Sequence, residues 1–403
     1  MKIIQICAAY KPAYVYGGPT MSVSKLSEEL VKAGEDVMVL TTTANGKEEL
    51  DVPTGKETLV DGVKVYYLKR LTKDHTHFSP SLLSFLHQTI KSAKRQTPNA
   101  KRNTLKPQLV VHIHAWWNLV SIFAALVAKW HGVKVILSPR GMLTSYSLNN
   151  RNSKFKDAIH YFLGRRLLKY AHIHATSEKE RKDVLQTCEV NGVTVIPNFV
   201  RFPHSPLLEG WSKTGVSNNS EPITYKLLFL SRIEEKKGLE LLFKALSQVN
   251  IPYQLSIAGT GEESYVKSLQ TLASDLGITS KIDWLGHVAN EQKFDLLAQS
   301  DLMVLTSYNE NFANVVIESL AMGTPVLISE EVGLADYVAA NNLGWVVPLN
   351  VEKIAESIIK SLKETTKRMS IRVDARKVIE ANFCDQNLIA EYNNMYCTLT
   401  LNK

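Results

Sequence analysis

Cysteine is scarce: Cys7, Cys188, Cys384 and Cys397 are scattered through 403 residues with neither metal-ligand nor disulfide spacing. That argues against a disulfide scaffold or a cysteine-built metal site, and fits a reduced, cytoplasmic, metal-free chain. No run of about 18 apolar residues occurs, so no segment reads as a membrane-spanning helix. The opening MKIIQICAAYKPAY has only a brief apolar run before lysine and proline, which reads as a first strand rather than a signal peptide. The turn Gly259-Thr260-Gly261 lacks the third glycine of a dinucleotide fingerprint, and His287 lacks partners at metal-ligand spacing. No side chain stands out as a covalent nucleophile.

What remains is a soluble globular composition, 45% hydrophobic and 21% charged, with enough length for two domains of about 200 residues each. Charge is unevenly spread. Residues 1–200 hold 28 Lys and Arg against 15 Asp and Glu, net +13, whereas residues 201–403 hold 19 against 24, net −5. A basic first half suits an anionic partner: acidic lipid, a phosphate-bearing acceptor or nucleic acid. The basic stretch from Lys91 to Lys106 reads as a solvated loop or a contact with lipid headgroups. Lys154 to Tyr170, with Phe155, Ile159, Phe162, Leu163 and Leu167 among basic residues, reads as an amphipathic helix lying either on the core or on a membrane surface.

The first half opens with an apolar strand, Lys2 to Cys7, then a Gly17-Gly18 turn and a helix with Met21, Val23, Leu26, Leu30 and Val31 on one face. This is how a doubly wound sheet begins. Gly17 and Gly18 let the backbone approach a ligand closely before a helix N-terminus. Further strands are predicted at 37–40, 62–68, 108–113, 133–137, 171–176 and 193–196. Alternation puts His112 and His114 on one side of their strand, and His114, nearer the carboxyl end, is the better site candidate. Residues 201–222, with three prolines and a Ser/Asn run, mark a boundary between a domain of residues 1–200 and one of residues 201–385.

In the second half, a strand at 226–230 runs into the loop Ser231 to Gly238. Its Arg232 and Lys237, added to a positive helix end, suit a diphosphate. The stretch from Asp301 to Glu330 reads as a strand, a crowded polar loop, a helix from Asn314 to Met322, and a second strand after Gly323-Thr324-Pro325. Glu310 lies beyond the first strand's carboxyl end, where open parallel sheets bind ligands, and Glu318 lies just over one turn into the helix. Both can face one crevice, with the N–H groups of Asn311, Phe312, Ala313 and Asn314 pointing at an anion or hydroxyl between them.

Glu310, Phe312, Glu318, Ala321, Gly323, Pro325 and Val326 stand in a pattern that resembles the signature of the retaining nucleotide-sugar glycosyltransferases of family 4. Arg232, Lys237 and Gly238 are similar to that family's arginine and lysine-glycine pair. Ala313 departs from it, standing where the family usually has glycine, and Arg140 stands where many members have histidine. The resemblance implies the α/β GT-B fold, two Rossmann-like doubly wound domains facing across a cleft, with the helix of residues 386–403 crossing back onto the first domain. It implies Glu310, Arg232 and Lys237 as catalytic residues. Glu318, Asn311 to Asn314, Gly17, Gly18, His287 and Val288 would bind the donor, and His114, Arg140 and Tyr16 are candidates for acceptor or sugar contact. It implies a nucleotide-diphosphate sugar as co-substrate, no other cofactor, no metal, and transfer with retention. Together with the basic first half it points to a saccharide acceptor, lipid-linked, on the inner face of the cell membrane, in bacterial surface polysaccharide assembly, with no nucleic acid partner. A nucleotide-sugar epimerase of the same fold, or a non-catalytic sugar- or nucleic-acid-binding protein, are the competing readings.

Overall fold

The computed structural model describes residues 1–96, 109–144, 163–203 and 223–401. Most of the two basic stretches, residues 97–106 and 154–162, lies outside them. The chain divides into two compact units, Met1–Phe199 with Asp385–Lys403, and Val200–Cys384.

The first unit is built on β1 (Lys2–Ile6), β2 (Asp36–Thr42), β5 (Glu57–Val60), β6 (Val63–Leu68), β7 (Leu109–His114), β8 (Lys134–Ser138), β9 (His172–Ala175) and β10 (Val193–Val195). A short ribbon, β3 (Ala44–Asn45) with β4 (Glu48–Glu49), stands apart from this sheet. The order is β10-β9-β8-β7-β1-β2-β6-β5. All pairs are parallel except β5 with β6, a hairpin turned through Asp61 and Gly62, both at positive φ, as a two-residue turn requires. Strands covered on both faces are nearly all apolar, and Gln5 in β1 is a fully buried exception. Helices α1 (Gly18–Lys32), α2 (Pro80–Gln96), α3 (Leu119–Trp130), α4 (Arg165–Tyr170) and α5 (Glu178–Thr187) cover it. Asn118 caps α3 by accepting from Ser121 N at 2.8 Å, and Ser177 caps α5 by accepting from Glu180 N at 3.1 Å.

The second unit holds β11 (Tyr225–Leu230), β12 (Tyr253–Ala258), β13 (Ile282–Gly286), β14 (Leu302–Leu305), β15 (Val326–Ser329) and β16 (Gly344–Val347), all parallel in the order β13-β12-β11-β14-β15-β16. Around it lie α6 (Leu239–Leu246), α7 (Glu263–Asp275), α8 (Asn290–Gln299), α9 (Asn314–Ala321), α10 (Ala335–Ala340), α11 (Val351–Lys363) and α12 (Thr365–Asn382). The final helix, α13 (Asp385–Leu401), packs in the first unit: Leu388, Tyr392 and Tyr396 are buried in a core with Ile3, Val37 and Phe199. Lys25 of α1 binds Asp385 at its start at 2.6 Å. No helix among the described residues is long and apolar enough to cross a membrane.

Each sheet winds outward in both directions from one place. In the second unit successive strands leave β11 toward β12 and β13, while β14 starts the other half, so the loops after β11 and β14 part at a switch point. Open parallel sheets form their ligand crevice there.

Candidate active site

The two loops at this switch point are stitched together. Gly238 has φ +68, and a Cβ there would lie 2.2 Å from the carbonyl oxygen of Thr306, so only glycine lets the β11 loop lie this close to the β14 loop. The Thr306 hydroxyl donates to Gly238 O at 2.9 Å and Tyr308 N donates to Lys236 O at 2.9 Å. The stitching brings the buried Lys237 ammonium onto the Glu310 carboxylate. Glu310 is itself fixed by its backbone, which donates to Glu331 O at 3.2 Å and accepts from Gly333 N at 2.7 Å. Arg232 is exposed and pairs with Glu234 at 2.5 Å rather than lying on Lys237. Lys236, on the same turn, is pushed below the usual lysine range by burial and then by the neighbouring charge of Lys237.

Glu318 in α9 binds the Lys293 ammonium of α8 at 2.9 Å, and both side chains are mostly buried. Lys293 was not visible in the sequence as a site residue, because nothing in a 25-residue separation announces the contact. Ala313 caps α9 in the left-handed region, at φ 66 and ψ 76, and is 8% exposed. Phe312 turns inward and meets Phe383 edge-on, 6.2 Å between ring centres. Asn311 and Asn314 remain partly exposed, His287 is exposed and Val288 half-buried. The Gly259-Thr260-Gly261 turn is structural: Cβ atoms there would lie 1.8 Å from Ser231 O and 2.2 Å from Ile233 O, so the glycines let the β12 end press on the β11 loop.

In the first unit, Gly17 (φ +64) caps α1, and Gly18 begins it with open space where a Cβ would stand. The Tyr16 hydroxyl accepts from Gly46 N at 3.0 Å and its ring meets His77 edge-on. His114 does not project past the end of β7. It is 2% exposed, like His112 at 0%, with their rings 4.3 Å apart. Trp116 is buried as packing, and Trp117 donates to Met142 O at 2.6 Å.

These histidines belong to an ordered chain of hydrogen bonds. Arg140 can only donate, so His114 Nδ1 accepts from it at 3.3 Å, leaving the His114 Nε2 proton for Gln5 Oε1 at 2.6 Å. Gln5 Nε2 donates to the Tyr396 hydroxyl at 3.5 Å, which donates to His112 Nδ1 at 2.8 Å. His112 Nε2 donates to Ser138 Oγ at 2.7 Å, Ser138 donates to His174 Nδ1 at 2.6 Å, and His174 Nε2 donates to the carbonyl of Ile196 at 2.9 Å. A donor-only group at one end and an acceptor-only group at the other fix every proton between. All three histidines are therefore neutral. Burial, and then neighbouring histidine or Arg140 charge, holds His112 and His114 well below the usual histidine range, and burial and then Arg140 push His174 down to about 3. The repeated HIHA at 112–115 and 172–175, on the strands flanking β8, was the available signal for this layer.

Solved structures of the same architecture include sucrose-phosphate synthase from Thermosynechococcus elongatus, 18% identical with TM-score 0.71 and 99% of each chain covered. They also include Anabaena HepE in complex with UDP and glucose, 19% identical with TM-score 0.68, covering 99% of this chain and all of that one. The fold is thus that of the GT-B enzymes. Residues 216–378 match the family model for glycosyl transferases group 1, and residues 16–202 match that for glycosyltransferase family 4. An uncharacterized glycosyltransferase of Methanocaldococcus jannaschii is 26% identical over 98% of both chains, and a glycogen synthase of Mycobacterium tuberculosis is 24% identical over 98% of this chain and 94% of its own. The chain belongs to this glycosyltransferase family and is a glycosyltransferase.

Proposed function

We propose that the protein moves a sugar, with retention at the anomeric carbon, from a nucleotide-diphosphate sugar to a saccharide acceptor. The observation behind this reading is the contact between Lys237 and Glu310 at the switch point of the second sheet. The donor diphosphate draws on Lys237 and Arg232, which offset the charge growing on the leaving group in the role a divalent metal fills elsewhere. Glu310 accepts hydrogen bonds from the donor sugar and Glu318 from the ribose, steadied by Lys293. The bond from the anomeric carbon to the phosphate oxygen breaks, with its electron pair going to phosphate. The acceptor hydroxyl attacks on the same face, and its proton passes to the departing phosphate oxygen. No covalent intermediate is needed. The HepE complex with UDP and glucose favours UDP as the nucleotide.

The acceptor in this reading is a lipid-linked saccharide at the cytoplasmic membrane surface, in the assembly of a surface polysaccharide. The net charge of +13 on residues 1–200 supports it. Proton NMR of the first product formed tests retention: an anomer opposite to the donor's sinks it. Flotation tests the location: a protein that stays at the bottom of the gradient with anionic vesicles is not a membrane-surface enzyme.

A further inference from the structure

Arg140 concentrates two costs in one residue. Its backbone sits at φ 57, a region an arginine enters only under constraint, and its Nε is sealed from solvent with no hydrogen-bond partner. Its remaining partners are neutral: His114 Nδ1 at 3.3 Å and the amide oxygen of Asn198. Among the described residues no carboxylate forms an ion pair with it. The buried Glu180 carboxylate accepts from Gly141 N and Thr176 N, each at 2.7 Å, and from the Thr176 hydroxyl at 3.0 Å. Burial pulls the Arg140 guanidinium below its ordinary range, and the nearby Tyr392 hydroxyl and Glu180 carboxylate offset that only in part. A half-buried guanidinium whose hydrogen-bond partners are neutral, with no carboxylate among the described residues in direct contact, keeps the capacity to take an oxyanion. The hydrogen-bond chain from His114 to Ile196 fixes the His114 tautomer that receives this guanidinium and so holds its orientation.

We propose that Arg140 is the receptor for an oxyanion borne by the acceptor, a phosphate or a carboxylate on the sugar to be extended. This rests on the donor reading above, which already matches the diphosphate's charge with Lys237 and Arg232 in the other unit. Arginine's fork takes either oxyanion with two N–H groups, so the choice between them is left to the test.

The test is calorimetric titration of the full chain at fixed ionic strength with glucose 6-phosphate, glucuronate and glucose, using wild type, Arg140→Gln, Arg140→Met and Lys237→Ala. The wild type should bind one charged sugar at least tenfold more tightly than glucose, and the one it favours names the group. Both Arg140 variants should lose that advantage and Lys237→Ala should keep it. Arg140→Gln and Arg140→Met leave His114 Nδ1 and the Asn198 oxygen short of a donor and should melt somewhat lower than the wild type but still cooperatively. No advantage over glucose in the wild type overturns the proposal, as does an advantage lost in Lys237→Ala but kept in the Arg140 variants. Collapse of both Arg140 variants would mark the guanidinium as a structural clamp and overturn it too. UDP titrated alongside separates the two readings: charged-sugar binding that needs Arg140 in a protein that ignores UDP would leave this site standing and remove the donor assignment.

Discussion

Lys237 and Glu310, 73 residues apart in sequence, meet as an ion pair because the loops bearing them leave adjacent strands of one sheet. The lysine is the more buried partner, its side chain 8% exposed against 21% for the glutamate. A buried ammonium needs a counter-charge, and Glu310 supplies one that also holds the ammonium at the strand ends.

Removing either partner should therefore have different effects. Lys237→Ala should lower kcat by about a hundredfold to a thousandfold, the usual loss for a group that meets charge developing in the transition state. It should cost less stability than the loss of Glu310, because the charge it leaves unpaired is the more exposed of the two. Glu310→Gln leaves the lysine unpaired and should also cost about 2 kcal/mol of folding stability. Steady-state kinetics beside urea unfolding of both variants separates the two effects.

Gly238→Ala should disrupt the stitching itself. Its Cβ would stand 2.2 Å from the Thr306 carbonyl oxygen, and moving backbone apart should cost more than about 2 kcal/mol. Gly18→Ala, with open space at its Cβ and an ordinary φ, should fall within about 0.5 kcal/mol of wild type. Urea midpoints of the pair check both.

Ala313 should be sensitive in one direction. An alanine in the left-handed region is strained by about 1 kcal/mol, so Ala313→Gly relieves strain while giving up a buried methyl, and should change stability by less than about 1 kcal/mol. Ala313→Val adds a branched side chain where positive φ excludes one, and should lose more than about 2 kcal/mol. Thermal unfolding of the two variants distinguishes them.

Stability should fall on mild acidification. His112, His114 and His174 are held neutral in the fold, so the unfolded chain binds more protons once the pH drops below about 6.5, the usual histidine value. The stabilisation is complete above that pH and is lost as the pH falls toward the folded value, about 3 for His174. Each histidine contributes a slope of up to about 1.4 kcal/mol per pH unit. Urea unfolding at pH 7, 6 and 5 should show it, and a flat profile would contradict neutral histidines.

The parallel strands and their order of appearance were legible because each buried strand is an apolar run closed by Gly, Pro or polar residues. The unit from Leu302 to Ser329 read clearly for that reason. The side-chain contacts were not. Gln5 sits in an apolar strand and gives no sign that it links His114 to Tyr396, residues 109 and 391 positions away. His114 read as a site candidate because alternation specifies a face and says nothing of what covers it; Gln5 of β1 and Arg140 occupy its two ring nitrogens. Lys293 is one charge among many on a helix surface until α9 packs beside it.

The most direct test of the donor assignment is binding of nucleoside diphosphates and their sugars, read by thermal shift on wild type, Lys237→Ala and Glu318→Ala. A ligand at 100 times its Kd should stabilise the wild type by about 2.7 kcal/mol. The account predicts that one base stabilises the wild type and that both variants lose most of the response. Variants that respond like wild type, or a wild type that responds to no nucleotide, would contradict it.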